Sequence, residues 1–277
     1  VAPPDPRTTP IADVRVAQDR LGRFLADKAA PVAVEREVSI PGAGGAIPCR
    51  LYIPDSAKPL PLLIYFHGGG FAYGSAPGWD GLMRDLAHQA GVAVLNVDYR
   101  LAPEHKFPAG LEDALAAIQH AHQSGAGWGI DPARLAVSGD SAGANLALVA
   151  AMILRDQGVT ALKLLVLFYG VFSADYASES WTTLGTGAYG LSQAQMEWVW
   201  STYLDQPDQR KDWRAAPLSG DLGRLPPVQQ IIGSLDPLLD DAHALKARLD
   251  ESGVANDLKV FPGVNHGFVR FNHMVAT

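Results

Sequence analysis

Cysteine is almost absent from this sequence of 277 residues, since Cys49 is the only one. A single cysteine excludes an intrachain disulfide, which suits a reducing compartment. We interpret Cys49 as a small, half-buried hydrophobic residue of a predicted strand over residues 46–53. Because 48% of the residues are apolar, a chain of this length can form one large core without covalent cross-links.

Long apolar runs and clusters of basic residues are also missing. No stretch of 18 apolar residues occurs, so we expect no stable membrane insertion. Residues 1–10, which are rich in proline and polar side chains, lack the apolar centre of a signal peptide. The net charge of -7 gives no support for binding to nucleic acid or to an anionic membrane. The charge therefore favours a small neutral substrate or none at all, and we expect a cytoplasmic location.

Short apolar runs alternate with longer helical patterns through the middle of the chain. The apolar runs predict strands at residues 46–53, 61–66, 92–97, 134–137, 162–168, 228–232 and 258–261. The other segments predict helices at residues 11–29, 80–90, 107–124, 142–157 and 240–252. Nearly continuous apolar strands separated by helices are typical of a mostly parallel sheet with helices on both faces. The predicted fold class is therefore α/β.

Two segments, residues 1–41 and 173–217, interrupt this alternation. We predict that they form a helical cap on a body made of residues 42–172 and 218–277, and that residues 1–10 are a disordered or loosely packed leader. Aromatic side chains on an insertion suit a cap over an apolar pocket, and the second segment contains Trp181, Trp198, Trp200 and Trp213. An alternative stays open, in which these tryptophans only pack the insertion onto the body.

A candidate nucleophile lies between a predicted strand and a predicted helix. Gly139-Asp140-Ser141-Ala142-Gly143 fits the pattern G-x-S-x-G, in which the serine occupies a sharp and strained turn. Small residues two positions before and after it allow neighbouring backbone to pass closely. The free N–H groups of the following helix would face a negative charge that forms beside the hydroxyl. The alternative is that Ser141 only caps the helix.

Three consecutive glycines follow the predicted strand at residues 61–66. The backbone N–H groups of Gly68, Gly69 and Gly70 are unshielded by side chains and could stabilise an oxyanion, together with the N–H of Ala142. A phosphate-binding loop is a weaker interpretation, because neither the lysine of G-x-x-x-x-G-K-[ST] nor the spacing G-x-G-x-x-G is present. A merely flexible turn is the remaining alternative.

The general base is sought among eight histidines. Those in predicted helices are read as surface residues, His67 as a residue that shapes the glycine loop, and His105 as a turn residue upstream of the serine. The chain order serine, acid, histidine leaves three downstream candidates, of which His266 lies in a loop: His243, His266 and His273.

The acid that would orient the imidazole is sought between the serine and the histidine. Asp236 directly follows the predicted strand at residues 228–232 and precedes a proline, so it lies at the end of that strand. Asp240 and Asp241 are alternatives, although they open a predicted helix, where acidic residues are common. Asp236 as a plain turn residue also stays open.

Five motifs in the same order make the sequence resemble the hormone-sensitive-lipase-like esterases: His67–Gly70, Tyr99–His105, Gly139–Gly143, Asp236–Leu238 and His266–Phe268. The resemblance implies an α/β-hydrolase body with a cap, and a carboxylesterase that acts on short-chain acyl esters without a metal or cofactor. It implies that 99–105 supports the glycine loop. It implies a triad and an oxyanion hole formed by Ser141, Asp236, His266, Gly69, Gly70 and Ala142.

The sequence departs from the family pattern in two places. Ala144 stands where many relatives have a further glycine, and the chain ends at Thr277, whereas relatives usually continue into a C-terminal helix. We expect residues 271–277 to begin that helix. Two other functions stay open: hydrolysis of aryl amides, and a non-catalytic small-molecule receptor, which would predict the loss of a triad member. All three triad residue types are present.

Overall fold

A computed structural model describes residues 4–274. Its centre is one eight-stranded sheet, formed by β1 (Val34–Gly42), β2 (Gly45–Ile53), β3 (Leu60–Phe66), β4 (Ala93–Val97), β5 (Ile130–Asp140), β6 (Leu162–Phe168), β7 (Val228–Leu235) and β8 (Asn256–Asn265). The strand order is β1-β2-β4-β3-β5-β6-β7-β8. β1 and β2 pair antiparallel, as do β2 and β4, and all other neighbours are parallel.

The helices are α1 (Ile11–Leu25), α2 (Asp80–Ala90), α3 (Ala109–Ser124), α4 (Ala142–Asp156), α5 (Glu179–Leu184), α6 (Gln193–Tyr203) and α7 (Leu239–Glu251). α4 is buried along most of its length, which explains why alanine and leucine fill it on every side. α6 begins with a capping box, in which Ser192 and Gln195 satisfy each other's backbone N–H groups. Within residues 4–274, no helix is long and apolar enough to cross a membrane.

The predicted mostly parallel sheet is confirmed, but β1 was not predicted. Residues 34–41 of the segment predicted as cap belong instead to this antiparallel edge strand of the body. Most side chains of β1 are exposed, so the segment lacks the apolar run that marks a buried strand. β5 and β8 also extend beyond their predicted ranges, because their additional residues are largely polar or exposed and so form no apolar run.

The described parts of both chain ends also differ from the expectation. Pro4, Asp5 and Pro6 line the same cavity as Ser141, so these residues pack against the body and do not form the expected disordered or loosely packed leader. At the other end, a 3₁₀ helix at Phe268–Phe271 is followed by turn residues, and the rest of the expected C-terminal helix, residues 275–277, lies outside the described residues.

Candidate active site

Ser141 occupies a sharp turn between β5 and α4. Its φ of 54° lies in the left-handed region that side chains rarely adopt, and this backbone strain is typical of functional sites. The flanking glycines are sterically required, because a Cβ at Gly143 would overlap the Phe66 carbonyl oxygen and one at Gly139 would overlap the Gly143 backbone. The turn is held by the Ser141 N–H, which donates to the Phe168 carbonyl at 2.9 Å.

His266 and Asp236 reach this serine from the ends of two adjacent strands. Leu235 of β7 and Asn265 of β8 are paired in the parallel register, so the residues that follow them emerge side by side. His266 Nδ1 lies 2.8 Å from Asp236 Oδ2, and His266 Nε2 lies 3.0 Å from Ser141 Oγ. The structure therefore brings the three predicted triad side chains into one hydrogen-bonded line.

The surroundings of His266 set its basicity. Burial lowers the pKa of the imidazole, but the charge of Asp236 and its hydrogen bond to the ring outweigh burial and raise the pKa above its ordinary value. Asp236 is fully buried, and its Oδ1 accepts the Leu238 N–H at 2.9 Å, so its own orientation is fixed. A carboxylate fixed in this way holds the ring with Nε2 toward the serine and stabilises an imidazolium.

The alternative acids and the other downstream histidines have different partners. Asp240 accepts a hydrogen bond from the Ser180 N–H at 2.8 Å, and Asp241 accepts from the N–H groups of Phe172 and Ser173. His273 lies 2.7 Å from Asp85, and His243 belongs to α7. Among the candidates, only His266 contacts Ser141, and only Asp236 contacts His266.

The glycine loop after β3 lies beside Ser141. Gly69 and Gly70 have positive φ angles of 121° and 56°, which explains why glycine is needed at both positions. They line the cavity with Ser141. Ala142 is the first residue of α4, so its N–H has no acceptor within that helix. Gly69 and Gly70 thus share the cavity with Ser141, and Ala142 follows the serine directly in sequence.

Two aromatic or imidazole side chains support this loop from below. The Tyr99 hydroxyl donates to the His67 carbonyl at 2.7 Å, and the His67 and Tyr99 rings stack with centroids 4.5 Å apart. His67 is fully buried, and its Nδ1 lies 2.8 Å from the Gly68 carbonyl. This geometry matches the expectation that His67 shapes the loop and that the 99–105 motif supports it.

Asp140 is a residue whose importance the sequence reasoning missed. Its Oδ1 accepts three hydrogen bonds, from the Gly68 N–H at 2.8 Å, the Tyr65 hydroxyl at 2.9 Å and the Trp79 indole N–H at 2.9 Å. It thereby connects the turn of Ser141 to the glycine loop. In G-x-S-x-G this position accepts any residue, so only the longer family motif, Gly-Asp-Ser-Ala-Gly, marks it.

Ser141 opens into a cavity of about 290 Å³. Its walls outside the triad and glycine loop come from the N-terminal segment and from the 173–217 insertion, including Gln18, Leu21, Leu191, Met196 and Val199. The four tryptophans of the insertion do not line it. Trp181 and Trp200 are buried, and Trp198 and Trp213 pack against the core, so the packing alternative for these residues is the observed one.

No group of three or more His, Cys, Asp or Glu residues within 4–274 is arranged to hold a metal ion. The reactive elements that the structure brings together are a serine hydroxyl, an imidazole with a carboxylate behind it, and the backbone of the glycine loop. Such an arrangement can transfer an acyl group, because it supplies a nucleophile, a base and oxyanion donors within one cavity.

Comparison with known proteins agrees with this chemistry. A family profile described as the alpha/beta hydrolase fold matches residues 63–270. The chain belongs to the α/β-hydrolase family. An ethyl acetate hydrolase of Pseudomonas putida is 38% identical over 237 residues, which cover 84% of this chain and 74% of that protein. The carboxylic ester hydrolase LipN of Mycobacterium tuberculosis is 36% identical over 240 residues, covering 84% of this chain and 64% of LipN.

Solved structures give the same assignment for this α/β-hydrolase. The thermostable carboxylesterase EstE1, cloned from a metagenomic library, superposes with a TM-score of 0.94 at 37% identity, covering 97% of this chain and 92% of EstE1. A hyperthermophilic esterase of Pyrobaculum calidifontis gives a TM-score of 0.90, also at 37% identity, with coverages of 96% and 88%. The resemblance to esterases and the α/β-hydrolase fold are confirmed, and the chain is a carboxylic ester hydrolase.

Proposed function

We propose that this hydrolase cleaves short-chain acyl esters through an acyl-enzyme on Ser141. His266 Nε2 takes the proton of the Ser141 hydroxyl as Oγ attacks the ester carbonyl, and the resulting imidazolium then protonates the departing alcohol. In the second step, His266 removes a proton from water, which attacks the acyl carbonyl. Collapse of this intermediate releases the carboxylic acid, and the proton on His266 returns to Ser141. The observation that carries the proposal is the line of contacts from Asp236 through His266 to Ser141.

Gly69, Gly70 and Ala142 are proposed to hold the oxyanion in both steps. Their N–H groups are fixed before substrate arrives, because positive φ angles and the α4 terminus aim the backbone. Preorganised donors of this kind contribute about 3–4 kcal/mol each to the transition state. Asp140 is proposed to be a positioning residue, since it fixes the Gly68 end of the loop through a hydrogen bond.

The cap is proposed to consist of residues 4–33 and 173–217. α1 is attached to the body by Arg15, which donates to the Ala72 and Ala102 carbonyls at 3.0 Å each, and by Asp19, which accepts from Ser75 at 2.6 Å. Both segments contribute walls to the cavity. A volume of about 290 Å³ suits a small ester rather than a long acyl chain.

Location and macromolecular partners are part of the same proposal. One buried free cysteine, Cys49, and a net charge of -7 support a cytoplasmic enzyme that binds a small ester and no nucleic acid. Fractionation of the source cells, with hydrolysis of p-nitrophenyl acetate followed in each fraction, tests the location.

The nucleophile is tested with Ser141→Ala and p-nitrophenyl butyrate. We expect kcat to fall by at least about a thousandfold, because no other hydroxyl of residues 4–274 lies within hydrogen-bond distance of His266. Ser138→Ala is the matched control, since the Ser138 hydroxyl lies on the same strand but donates to the Val166 carbonyl. A Ser141→Ala enzyme whose kcat is within tenfold of the wild-type value would contradict the proposal.

The substrate range is tested with p-nitrophenyl esters from acetate to palmitate and with an acyl anilide. The ester series defines the preferred acyl length, and the anilide separates esterase from amidase activity.

A further inference from the structure

Arg270 is a cation in the wall of the Ser141 cavity, and neither the hydrolytic mechanism nor the resemblance gives it a role. It lies four residues after His266, in the 3₁₀ helix at Phe268–Phe271. Its guanidinium lies over the Trp79 ring, 3.9 Å from the centroid. It is the only lysine or arginine among the residues that line the cavity. Burial lowers the pKa of Arg270, so the protein surrounds this charge with little water.

The hydrogen bonds of Arg270 are made to uncharged acceptors. Nη1 donates to Gln18 Oε1 at 2.7 Å, and Nη2 lies 3.1 Å from the Gly78 carbonyl and 3.5 Å from the Gln18 carbonyl. Within residues 4–274, no carboxylate oxygen lies within 4.0 Å of it. Five N–H donors are available on a guanidinium, so Nε and part of Nη1 have no acceptor in this part of the chain.

A second polar group of the same wall lacks an acceptor. The Tyr169 hydroxyl is buried and donates to no atom of the described chain. Tyr169 lines the cavity, and its ring contacts His266 edge to face at a centroid distance of 4.8 Å. A cation with free N–H donors and a hydroxyl without an acceptor, both in the wall of one cavity, are complementary to a carboxylate, which accepts from both.

The acidic groups of the cavity do not cancel this attraction. Asp5 is bound by Arg7, with Oδ2 and Nη2 2.7 Å apart. Asp140 Oδ1 is engaged by three other donors, and Arg270 forms no hydrogen bond or ion pair with this carboxylate, so the attraction between the two acts only through space. Asp236 faces His266 from the protein interior. Arg270 is thus the cavity charge with unused donors.

We propose that Arg270, assisted by Tyr169, is a specificity-determining residue, and that the preferred substrates are esters that carry a carboxylate, such as half-esters of small dicarboxylic acids. This inference rests on the proposed esterase function and differs from the expectation of a neutral substrate that follows from the net charge. The alternative is a purely structural role, in which Arg270 holds α1 in place through its hydrogen bond to Gln18. A structural role predicts no discrimination between charged and neutral esters.

The test compares monoethyl succinate with ethyl 4-oxopentanoate, in which a ketone methyl replaces one carboxylate oxygen. Each kcat/KM is divided by the rate constant for hydrolysis by hydroxide, and the ratio of charged to neutral ester is taken. The alcohol side is probed in the same way with 4-acetoxybutanoate and 5-acetoxypentan-2-one. We expect a ratio above one for the wild type in at least one pair, and at least a tenfold fall in that ratio for Arg270→Met.

Arg270→Lys is the second variant, because it keeps the charge and is expected to retain part of the preference that Arg270→Met loses. Wild-type ratios below one in both pairs would overturn the inference while leaving esterase function intact. If Arg270→Met lowers kcat/KM equally for charged and neutral esters, Arg270 has only a structural role. Failure of the wild type to hydrolyse any of these esters would overturn the proposed function as well.

Discussion

Asp236 and His266, which are 30 residues apart in sequence, are held in contact by the pairing of the two strands that precede them. Leu235 and Asn265 are register partners in β7 and β8, so the next residue of each strand emerges at the same edge of the sheet. A shift of this register would move the carboxylate away from the imidazole. The contact is therefore a property of the sheet as well as of the loops.

Removal of the Asp236 charge is expected to change both rate and pH dependence. His266 must be neutral to act as a base, so wild-type kcat/KM falls as the pH drops through its raised pKa. In Asp236→Asn the burial that lowers the pKa remains, whereas the charge that raises it is gone. We expect kcat to fall by about 10⁴ and the acid limb of the kcat/KM profile to move to lower pH.

Asp240→Asn is the control for this profile. Asp240 accepts the Ser180 N–H at 2.8 Å, and an asparagine oxygen can accept the same bond. Its rate and acid limb are expected to match the wild type. An Asp236→Asn enzyme with an unchanged acid limb would show that Asp236 does not set the basicity of His266.

A side chain at Gly69 is expected to disturb the glycine loop and thereby catalysis. A Cβ at Gly69 would overlap the Tyr73 carbonyl oxygen, and its φ of 121° is strained for any other residue. Gly69→Ala is expected to displace the oxyanion donors and lower kcat by about 10²–10³. Gly45→Ala is the matched control, because Gly45 has a φ of 119° but no neighbour within 4 Å of its added Cβ. Gly45→Ala should lower stability and leave kcat unchanged. Equal kcat values for Gly69→Ala and the wild type would refute the assignment.

Asp241 makes stability depend on pH. Burial raises the pKa of Asp241 to about 7, although the hydrogen bonds that it accepts from the Phe172 and Ser173 N–H groups lower the pKa. Between about pH 4 and 7 the folded protein keeps a proton here that the unfolded chain has released. Raising the pH through this range therefore removes stability, on the order of 4 kcal/mol in total.

Asp241→Asn is expected to remove this dependence. Both N–H groups bond to Oδ2, so one amide oxygen can replace it. The free energy of unfolding is measured in urea for both proteins at about pH 5 and pH 8. We expect the stability of the variant relative to the wild type to be greater at pH 8 than at pH 5. A constant difference between the proteins would contradict a raised pKa at Asp241.

The predicted fold follows from features that are local in sequence. The apolar runs of β3, β4 and β6 mark buried strands, and β4 is buried along its whole length. β1 escaped detection because an exposed edge strand needs no apolar run. The sequence leaves two places open for the insertion tryptophans, because an indole ring indicates burial but not the surface against which it is buried, and the structure shows the packing alternative.

Site residues were predictable where a strained or catalytic residue type breaks the local pattern. Ser141, His266 and the glycine loop follow strands in motifs that the fold alone does not require. The roles of Asp140 and Arg270 depend on contacts with Trp79 and with other residues distant in sequence. Such contacts form only when the strands and α1 are assembled, so no local sequence pattern predicts them.

The most direct test of the mechanism is to identify the side chain that reacts. The enzyme is treated with an alkyl p-nitrophenyl phosphonate, which mimics the tetrahedral intermediate, and the adduct is located by peptide mass spectrometry. One phosphonyl group is predicted on Ser141, with labelling slowed strongly in His266→Ala because Nε2, 3.0 Å from the hydroxyl, no longer takes the proton. An adduct on another residue, or labelling of Ser141 that is unaffected by the loss of His266, would contradict the account.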